Sequence, residues 1–235
     1  LKHKSELEIV FHNYFPVPKK NFVLNLASID DDIFKKSINL CMNSINISKK
    51  LGLKRYSVHA GFFLDFTERE IGNSIHYKKI NNKELALDRF VKAWEILKKE
   101  ADNKIDLYIE NNVLSLKNYN NLKSKKPFML IDSNDYNELK KRIDFKLLLD
   151  VAHLKVSANS LNINYLEEFD YLFDQSDYIH YSENNGIKDI NKGLSYSKEI
   201  FKILSKKNLT NKIITLEIYD QINEIKDTYN QFLTL

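Results

Sequence analysis

The chain has 235 residues, of which 43% are hydrophobic and 29% charged, enough to bury the core of one α/β domain. No apolar run approaches the roughly 20 residues needed to cross a bilayer, and the first residues lack the apolar segment of a secretory signal. Cys41 is the only cysteine, which excludes disulfides within the chain and zinc sites built from cysteines. These features favour a cytoplasmic protein without a membrane partner.

The charged side chains are dispersed along the whole chain. There are 36 basic and 32 acidic residues, and the net charge is +4. Proteins that bind nucleic acid more often concentrate basic residues in one stripe, with aromatic side chains between them. The charge pattern therefore argues against a nucleic-acid partner.

Short apolar runs alternate with longer amphipathic segments, a pattern that is typical of βα units and a parallel sheet. Most of the short runs are apolar at nearly every position, as expected for strands that are covered on both faces. The predicted strands, in chain order, are Leu7–His12, Tyr56–His59, Ile105–Glu110, Phe145–Asp150, Tyr178–Tyr181 and Ile213–Ile218.

The amphipathic segments between these strands predict helices. Asp31–Leu51 has aspartates in its first turn and Gly52 directly after its end. Lys83–Ala101 carries apolar residues at helical spacing, which places Trp94 in the core. The other predicted helices are Asn134–Arg142, Tyr165–Phe173 and Ser195–Lys207; the predicted substrate-selecting loops are Phe62–Lys79, Val113–Lys126 and Lys155–Asn164. No repeat, linker or boundary interrupts the pattern, so residues 1–235 are predicted to form one domain.

Each predicted strand ends at or near a side chain that can bind a metal ion. These side chains are His12, His59, Glu110, Asp150, His180 and Glu217, and His153 follows three residues after Asp150. In a parallel barrel the C-terminal ends of the strands converge on one face, where active sites form. The side chains are therefore expected to lie together.

The carboxylates in this set favour a bound cation. Asp150 directly follows three leucines, and a carboxylate in such a setting is costly to bury unless it is paired or bound to metal. Several carboxylates gathered together repel one another, so a divalent cation is the natural means of holding them. One imidazole with three carboxylates suits Zn²⁺, Mn²⁺, Co²⁺ or Fe²⁺ better than Ca²⁺ or Mg²⁺; we expect Zn²⁺ or Mn²⁺, one or two ions per chain.

The same residues lie in short motifs in a characteristic order: His12-Asn-Tyr-Phe-Pro, Val58-His59-Ala-Gly61, Ile109-Glu110-Asn-Asn112, Leu149-Asp150-Val-Ala-His153, His180-Tyr-Ser-Glu-Asn-Asn-Gly186 and Leu216-Glu217. In these motifs the chain resembles the xylose-isomerase-like TIM-barrel superfamily, which includes sugar and sugar-phosphate isomerases, ketose 3-epimerases and endonuclease IV. The resemblance implies an α/β fold of the TIM (β/α)8 type. The strand that ends at His12 resembles the third strand of that barrel, so the first two βα units are expected to be missing or shortened.

The epimerase branch of the superfamily implies a set of roles. The counterparts of four residues bind one divalent metal there: Glu110, Asp150, His180 and Glu217. Glu110 and Glu217 would also form the acid/base pair, and His153 would contact the substrate. Lys188 is a further candidate to hold a substrate oxygen because of its position after His180. The predicted function is thus a metal-dependent isomerase or epimerase of a small sugar or sugar phosphate, in which the metal stabilises the enediolate formed on proton loss.

Endonuclease IV provides the alternative, a metal-dependent phosphodiesterase acting on abasic DNA. Its three-zinc cluster also uses the counterparts of His12, His59, His153 and an Asp-x-His pair, which here reads Asp189-Ile-Asn191. Asparagine is a poor replacement for an imidazole ligand, which counts against a third zinc. If His12 and His59 bind metal, the centre holds two ions and favours Zn²⁺. A barrel that keeps the site only as a binding protein is a third interpretation, and a shortened barrel is compatible with a homo-oligomer.

Overall fold

The computed structural model describes residues 9–76 and 78–235. They form two compact units. The first takes in the described residues up to Ile109 together with Lys140–Lys146, and the second comprises Glu110–Leu139 and Leu147–Leu235. Among the described residues no helix combines the length and apolar character needed to span a membrane. The single domain expected over residues 1–235 stays a prediction.

Strands and helices alternate along the described residues. The strands are β1 (Phe11–His12), β2 (Arg55–His59), β3 (Asp106–Glu110), β4 (Lys146–Asp150), β5 (Ser176–Tyr181) and β6 (Ile213–Leu216). The helices are α1 (Asp31–Leu51), α2 (Lys83–Ala101), α3 (Leu116–Asn121), α4 (Ser133–Lys140), α5 (Val151–Leu161), α6 (Tyr165–Asp174), α7 (Glu199–Leu204) and α8 (Ile222–Phe232), with a 3₁₀ turn at Glu68–Glu70.

The first unit contains β1, β2 and most of β3, in chain order. β1 pairs with β2 in parallel, with His12 opposite Ser57. The long helices α1 and α2 pack together beside these strands, and both have the bounds predicted for them. Trp94 is buried, as predicted, and its indole Nε1 donates a hydrogen bond to the carbonyl oxygen of Asp144 at 3.0 Å.

The ends of α1 show why its bounds are readable from sequence. The Asp30 side chain accepts hydrogen bonds from two N–H groups of the first turn, those of Asp32 and Ile33, which satisfies donors that the helix itself leaves open. At the other end Gly52 adopts a left-handed φ of 67°, and its N–H returns to the last turn. Both signals are local in the chain, so the pattern alone specifies the boundaries.

The second unit contains β4, β5 and β6, which pair in parallel in chain order. Asp150 lies opposite His180, and Tyr181 lies opposite Leu216. The described residues therefore contain six strands, with parallel pairing and intervening helices. This confirms the predicted TIM-barrel class and accounts for six of the eight strands of a full barrel.

Several predicted bounds need correction. Lys155–Asn164 is not a loop, because most of it belongs to α5; nearly every residue of that helix is buried, so it lacks the polar face by which amphipathic helices are recognised. The predicted loops Phe62–Lys79 and Val113–Lys126 contain the 3₁₀ turn and α3, respectively, and α8 was not predicted. Leu7 and Glu8 of the first predicted strand lie outside the described residues.

The helix predicted at Ser195–Lys207 is also wrong in extent, since α7 covers Glu199–Leu204 only. The buried Glu183 carboxylate explains where it begins. It accepts hydrogen bonds from the backbone N–H groups of Ile200 and Phe201, at 3.3 and 2.9 Å. Ser195 is held elsewhere, because its N–H donates to Glu224 of α8.

Candidate metal centre

The second unit brings together four of the predicted ligands. One ligand atom from each of them lies within 4.8 Å of the others, and the residues are Glu110, Asp150, His180 and Glu217. Asp150 is the last residue of β4, His180 is the last but one of β5, and Glu217 directly follows β6. Glu110 and Asp150 are fully buried, whereas 22% of the Glu217 side chain is exposed. Glu217 is therefore the carboxylate through which this cluster reaches solvent.

The cluster fits a divalent cation by its donors and its spacing. Bonds of about 2.0–2.2 Å put two ligands of one ion at most roughly 4.4 Å apart, and the four ligand atoms here all lie within 4.8 Å of one another. The Asp150 Oδ2 atom is buried and has no hydrogen-bond partner in the part of the chain that the structure describes. Its ion-pair partner is His153 Nε2, at 3.9 Å, and since a buried carboxylate oxygen is costly to leave unsatisfied, this atom is available to bind a cation.

Asp150 is fixed in place by its role at the start of α5. Its Oδ1 atom accepts a hydrogen bond from the His153 N–H at 2.7 Å, so the Asp-x-x-His motif is a helix cap. Its backbone is clamped by the Asn111 amide, which accepts from the Asp150 N–H at 2.7 Å and donates to the Asp150 carbonyl at 3.0 Å. Only Oδ2 is left to face the cluster.

His180 joins the two glutamates of the cluster. Its Nδ1 atom lies 2.9 Å from Glu217 Oε2 and 3.3 Å from Glu110 Oε1. Burial lowers the pKa of His180, but the two carboxylates outweigh burial and raise it well above its usual value. Conversely, burial opposes ionisation of Glu217, while its bond to His180 holds its pKa down at about 2. The two carboxylates thus favour the protonated form of the His180 imidazole.

In Asp150 and His153, too, burial and neighbouring charges shift the pKa in opposite directions. Burial raises the pKa of Asp150 to about 7, His153 opposes that shift, and the nearby carboxylates add to it. Burial also disfavours charge on His153, yet Asp150 and Asp189 raise its pKa well above the usual range. Perturbed ionisable groups of this kind concentrate at functional sites.

His153 is held at both ring nitrogens. Nδ1 lies 2.9 Å from the carbonyl oxygen of Asn111, and Nε2 lies 3.2 Å from Asp189 Oδ2. The ring is thus oriented by one group from the chain after β3 and another from the loop after β5. Lys188 is exposed in that same loop, where its backbone N–H donates to the Asn185 side chain at 3.2 Å.

The first unit holds the other two predicted ligands, His12 and His59, at the ends of β1 and β2. Their ring centroids are 5.4 Å apart, with the rings edge to face. His12 Nδ1 lies 2.8 Å from the Ser57 hydroxyl oxygen. The two imidazoles are neighbours, as the strand-end pattern predicts; that they share a metal centre with the four residues of the second unit stays a prediction.

Two residues at this site did not stand out in the sequence, Asn111 and Tyr219, and Asp189 was noted only as part of the Asp189-Ile-Asn191 pair. The Asn111 contacts with Asp150 join residues 39 positions apart, and the Asp189 contact with His153 joins residues 36 apart, so no local pattern announces either. The Tyr219 hydroxyl donates to Glu217 Oε1 at 2.8 Å. Its position two residues after a predicted ligand was the one available signal.

Comparisons with known proteins agree with this architecture. A family model described as xylose isomerase-like TIM barrel matches residues 1–233. The chain is similar in structure to a D-tagatose 3-epimerase-like protein, with a TM-score of 0.69 and 18% identity over 97% of this chain and 78% of that one. It is also similar to endonuclease IV from Thermus thermophilus, with a TM-score of 0.63 and 13% identity over 96% of this chain and 74% of that one.

A curated relative matches over a shorter stretch. It is the probable endonuclease 4 of Thermotoga neapolitana, 34% identical over 74 residues, which is 32% of this chain and 24% of the relative. The match thus spans about a quarter of that protein's length. The structural likenesses, at identities below 20%, establish the fold and leave the reaction to be argued from the site.

Proposed function

Because the chain belongs to the xylose isomerase-like TIM-barrel family, we propose that it is a metal-dependent isomerase or epimerase of a small sugar or sugar phosphate. The observation that carries the proposal is the four-residue cluster in the second unit, with its ligand atoms within 4.8 Å of one another. Its donor set, one imidazole and three carboxylates, suits Zn²⁺ or Mn²⁺. His12 and His59 are the candidates for a second ion.

The proposed chemistry is proton transfer at a carbon next to a carbonyl group. A bound divalent cation supplies Lewis-acid stabilisation of the negative charge that develops on adjacent substrate oxygens. Glu217 is partly exposed and accepts the proton from the substrate carbon. Glu110 is the second member of the acid/base pair. Because general acids and bases need a fixed geometry, the His180 contact with both glutamates supports this assignment.

Substrate oxygens are assigned to two further residues. The Asn111 carbonyl holds Nδ1 of His153 and so preorganises the ring, and Nε2, now beside Asp189, is the atom that would exchange this contact for a substrate oxygen. Lys188 is exposed beside Asp189, and its long ammonium side chain suits a phosphate or hydroxyl oxygen. We propose that these two residues hold the substrate while the glutamates exchange its proton.

The test is proton exchange at substrate carbon in heavy water. Protein loaded with Zn²⁺ or Mn²⁺ is incubated with a panel of ketoses and ketose phosphates, and loss of the C–H signal is followed by proton NMR. Glu217→Gln should keep the fold and reduce exchange by about a hundredfold or more, the range of a general base. Glu95→Gln, at an exposed position on α2, is the control and should exchange at the wild-type rate. Full exchange in Glu217→Gln would refute the assignment.

A phosphodiesterase acting on abasic DNA is the second candidate, supported by the adjacent His12 and His59 rings and by the curated endonuclease relative. Asn191 weighs against it. Asn191 is buried, and its side-chain amide donates to the Glu217 carbonyl at 3.2 Å, so it serves as a backbone clamp in the place of an imidazole ligand. Three zincs per chain together with nicking of an abasic duplex would favour the nuclease; one or two metals without nicking would favour the sugar enzyme.

A further inference from the structure

Tyr219 is an exposed residue whose hydroxyl contacts a carboxylate of the cluster. Its exposed fraction is 74%, yet its hydroxyl donates a 2.8 Å hydrogen bond to Glu217 Oε1. The other oxygen of the same carboxylate, Oε2, lies 2.9 Å from His180 Nδ1. Both oxygens of Glu217 are therefore held, one from inside the cluster and one from its solvent side.

The backbone on which Tyr219 stands is anchored as well. Its N–H donates to the Asn191 carbonyl at 2.9 Å, and the Asn191 side chain in turn donates to the Glu217 carbonyl at 3.2 Å. One residue further on, Asp220 accepts from Lys192 and from the Gly193 N–H. The segment 217–220 is thus fastened to the loop after β5 on both sides of Tyr219, which fixes where its hydroxyl can reach.

We propose that Tyr219 is a positioning residue for Glu217. A glutamate carboxylate rotates easily about its last bond, and a carboxylate held at only one oxygen can turn. The Tyr219 hydroxyl holds Oε1 with a hydrogen bond to a charged acceptor, which is of the strong kind. It thereby fixes which oxygen faces a metal ion and which faces the mouth of the cluster.

Because the Tyr219 ring is largely exposed, the positioning role of its hydroxyl can be tested without a large change in side-chain packing. Tyr219→Phe removes the hydroxyl and leaves an exposed ring in place, so the fold should be kept and the free energy of unfolding should fall by no more than one hydrogen bond contributes. The expected effect of Tyr219→Phe on metal affinity follows from the cluster alone and does not require the proposed function. The effect on turnover rests on the proposed function, because it requires Glu217 to exchange a substrate proton.

The decisive experiment titrates the metal-free protein with Co²⁺ alone and follows its visible absorption. Tyr219→Phe should weaken Co²⁺ binding about tenfold and alter the spectrum, since loss of a partner that orients a metal ligand typically costs 10- to 100-fold in affinity. Tyr229→Phe, at another exposed tyrosine, 55% exposed on α8, is the matched control and should bind as wild type. Wild-type Co²⁺ affinity and spectrum in Tyr219→Phe would overturn the proposal.

Turnover separates positioning from direct substrate contact. If the wild type exchanges ketose protons, Tyr219→Phe should lower kcat about tenfold while KM changes less than twofold. A rise in KM with kcat unchanged would contradict positioning and assign the hydroxyl to substrate binding. If the wild type exchanges no proton but Tyr219→Phe still loses Co²⁺ affinity, the sugar chemistry fails and the positioning role stands.

Discussion

At the scale of single residues, Glu70 organises the loop that follows β2. It is 8% exposed, and its carboxylate accepts hydrogen bonds from the Thr67 N–H, the Thr67 hydroxyl and the His76 N–H, at 2.9, 2.9 and 3.1 Å. Lys78 adds an ion pair at 2.8 Å. Burial opposes ionisation of Glu70, but these contacts outweigh it and hold its pKa at about 2.

This contact set predicts a loss of stability in acid. The folded-state pKa lies below the ordinary value, so the stabilisation is present above about pH 4.5 and is lost as pH falls from there towards 2. Lys78 is 32% exposed, and after a discount for screening we expect roughly 1–2 kcal/mol. Urea unfolding of wild type and Glu70→Gln at several pH values measures the difference, which should shrink below pH 4.

The control for Glu70 is its neighbour in the same 3₁₀ turn. Glu68 is exposed, so Glu68→Gln should follow the wild-type pH dependence throughout. A constant gap between Glu70→Gln and wild type from pH 7 to pH 3 would mean that Glu70 acts through its shape and not through its charge.

Some residues of the candidate site are marked by a local sequence pattern, and others are identified only by contacts between distant positions in the chain. The strand-end pattern predicts that Asp150 and His180 lie together, because each one ends an apolar run and parallel strands align such ends. Asp189 reaches His153 across 36 positions of sequence, from a loop without regular structure. Its role depends on the path of that loop, and a single sequence contains no measure of that path.

At the scale of elements, α5 and the loop after β5 fit together closely at Gly186. This glycine has a left-handed φ of +71°, and a Cβ atom there would lie 2.1 Å from the Asn159 amide nitrogen. The same nitrogen donates to the Gly186 carbonyl at 3.1 Å. Lys155 of α5 also donates to the Asn184 carbonyl at 3.0 Å, so the helix holds the loop that presents Asp189.

Gly72 and Gly186 have almost the same φ but different surroundings. Substituting each of them therefore distinguishes backbone strain from steric crowding of the added Cβ atom. Gly72 has φ +68° and nothing within 4 Å of its virtual Cβ, so Gly72→Ala should cost only the left-handed strain, about 1 kcal/mol. Gly186→Ala must also displace Asn159 and should cost about 2–3 kcal/mol. Urea unfolding measures both. Adding Asn159→Ala to Gly186→Ala should cost less than the sum of the single changes; strict additivity would show that Asn159 does not cause the crowding.

Exposure to solvent did not by itself make a helix predictable, because α8 has only Thr228 buried and was not predicted. α1 and α2 have one polar face and local caps, and their predicted bounds are confirmed. α5 is buried nearly all round, so neither a polar face nor a break after Asp150 marks its start. Asp150 is both the last residue of β4 and the N-cap of α5. No turn residue therefore separates the strand from the helix in the sequence.

At the scale of the whole molecule, we expect the cluster in the second unit to make stability depend on cations. Three carboxylates share one small volume, and His180 with its raised pKa offsets their charge. A metal ion bound at His180 would replace that proton, because an imidazole must be neutral to bind metal. A metal ion that binds only the folded chain adds stability in proportion to the logarithm of its excess over Kd.

Zn²⁺ or Mn²⁺ at a hundred times its Kd should therefore stabilise the protein by about 2.7 kcal/mol, a rise in Tm of roughly 5–10 °C for a chain of this size. Differential scanning calorimetry, with chelator added to reverse the shift, measures it. Glu217→Gln should lose most of the shift because it weakens one ligand, whereas Glu95→Gln should keep all of it. An equal shift in Glu217→Gln would place the bound metal outside the cluster, since a site that includes Glu217 cannot be indifferent to its charge.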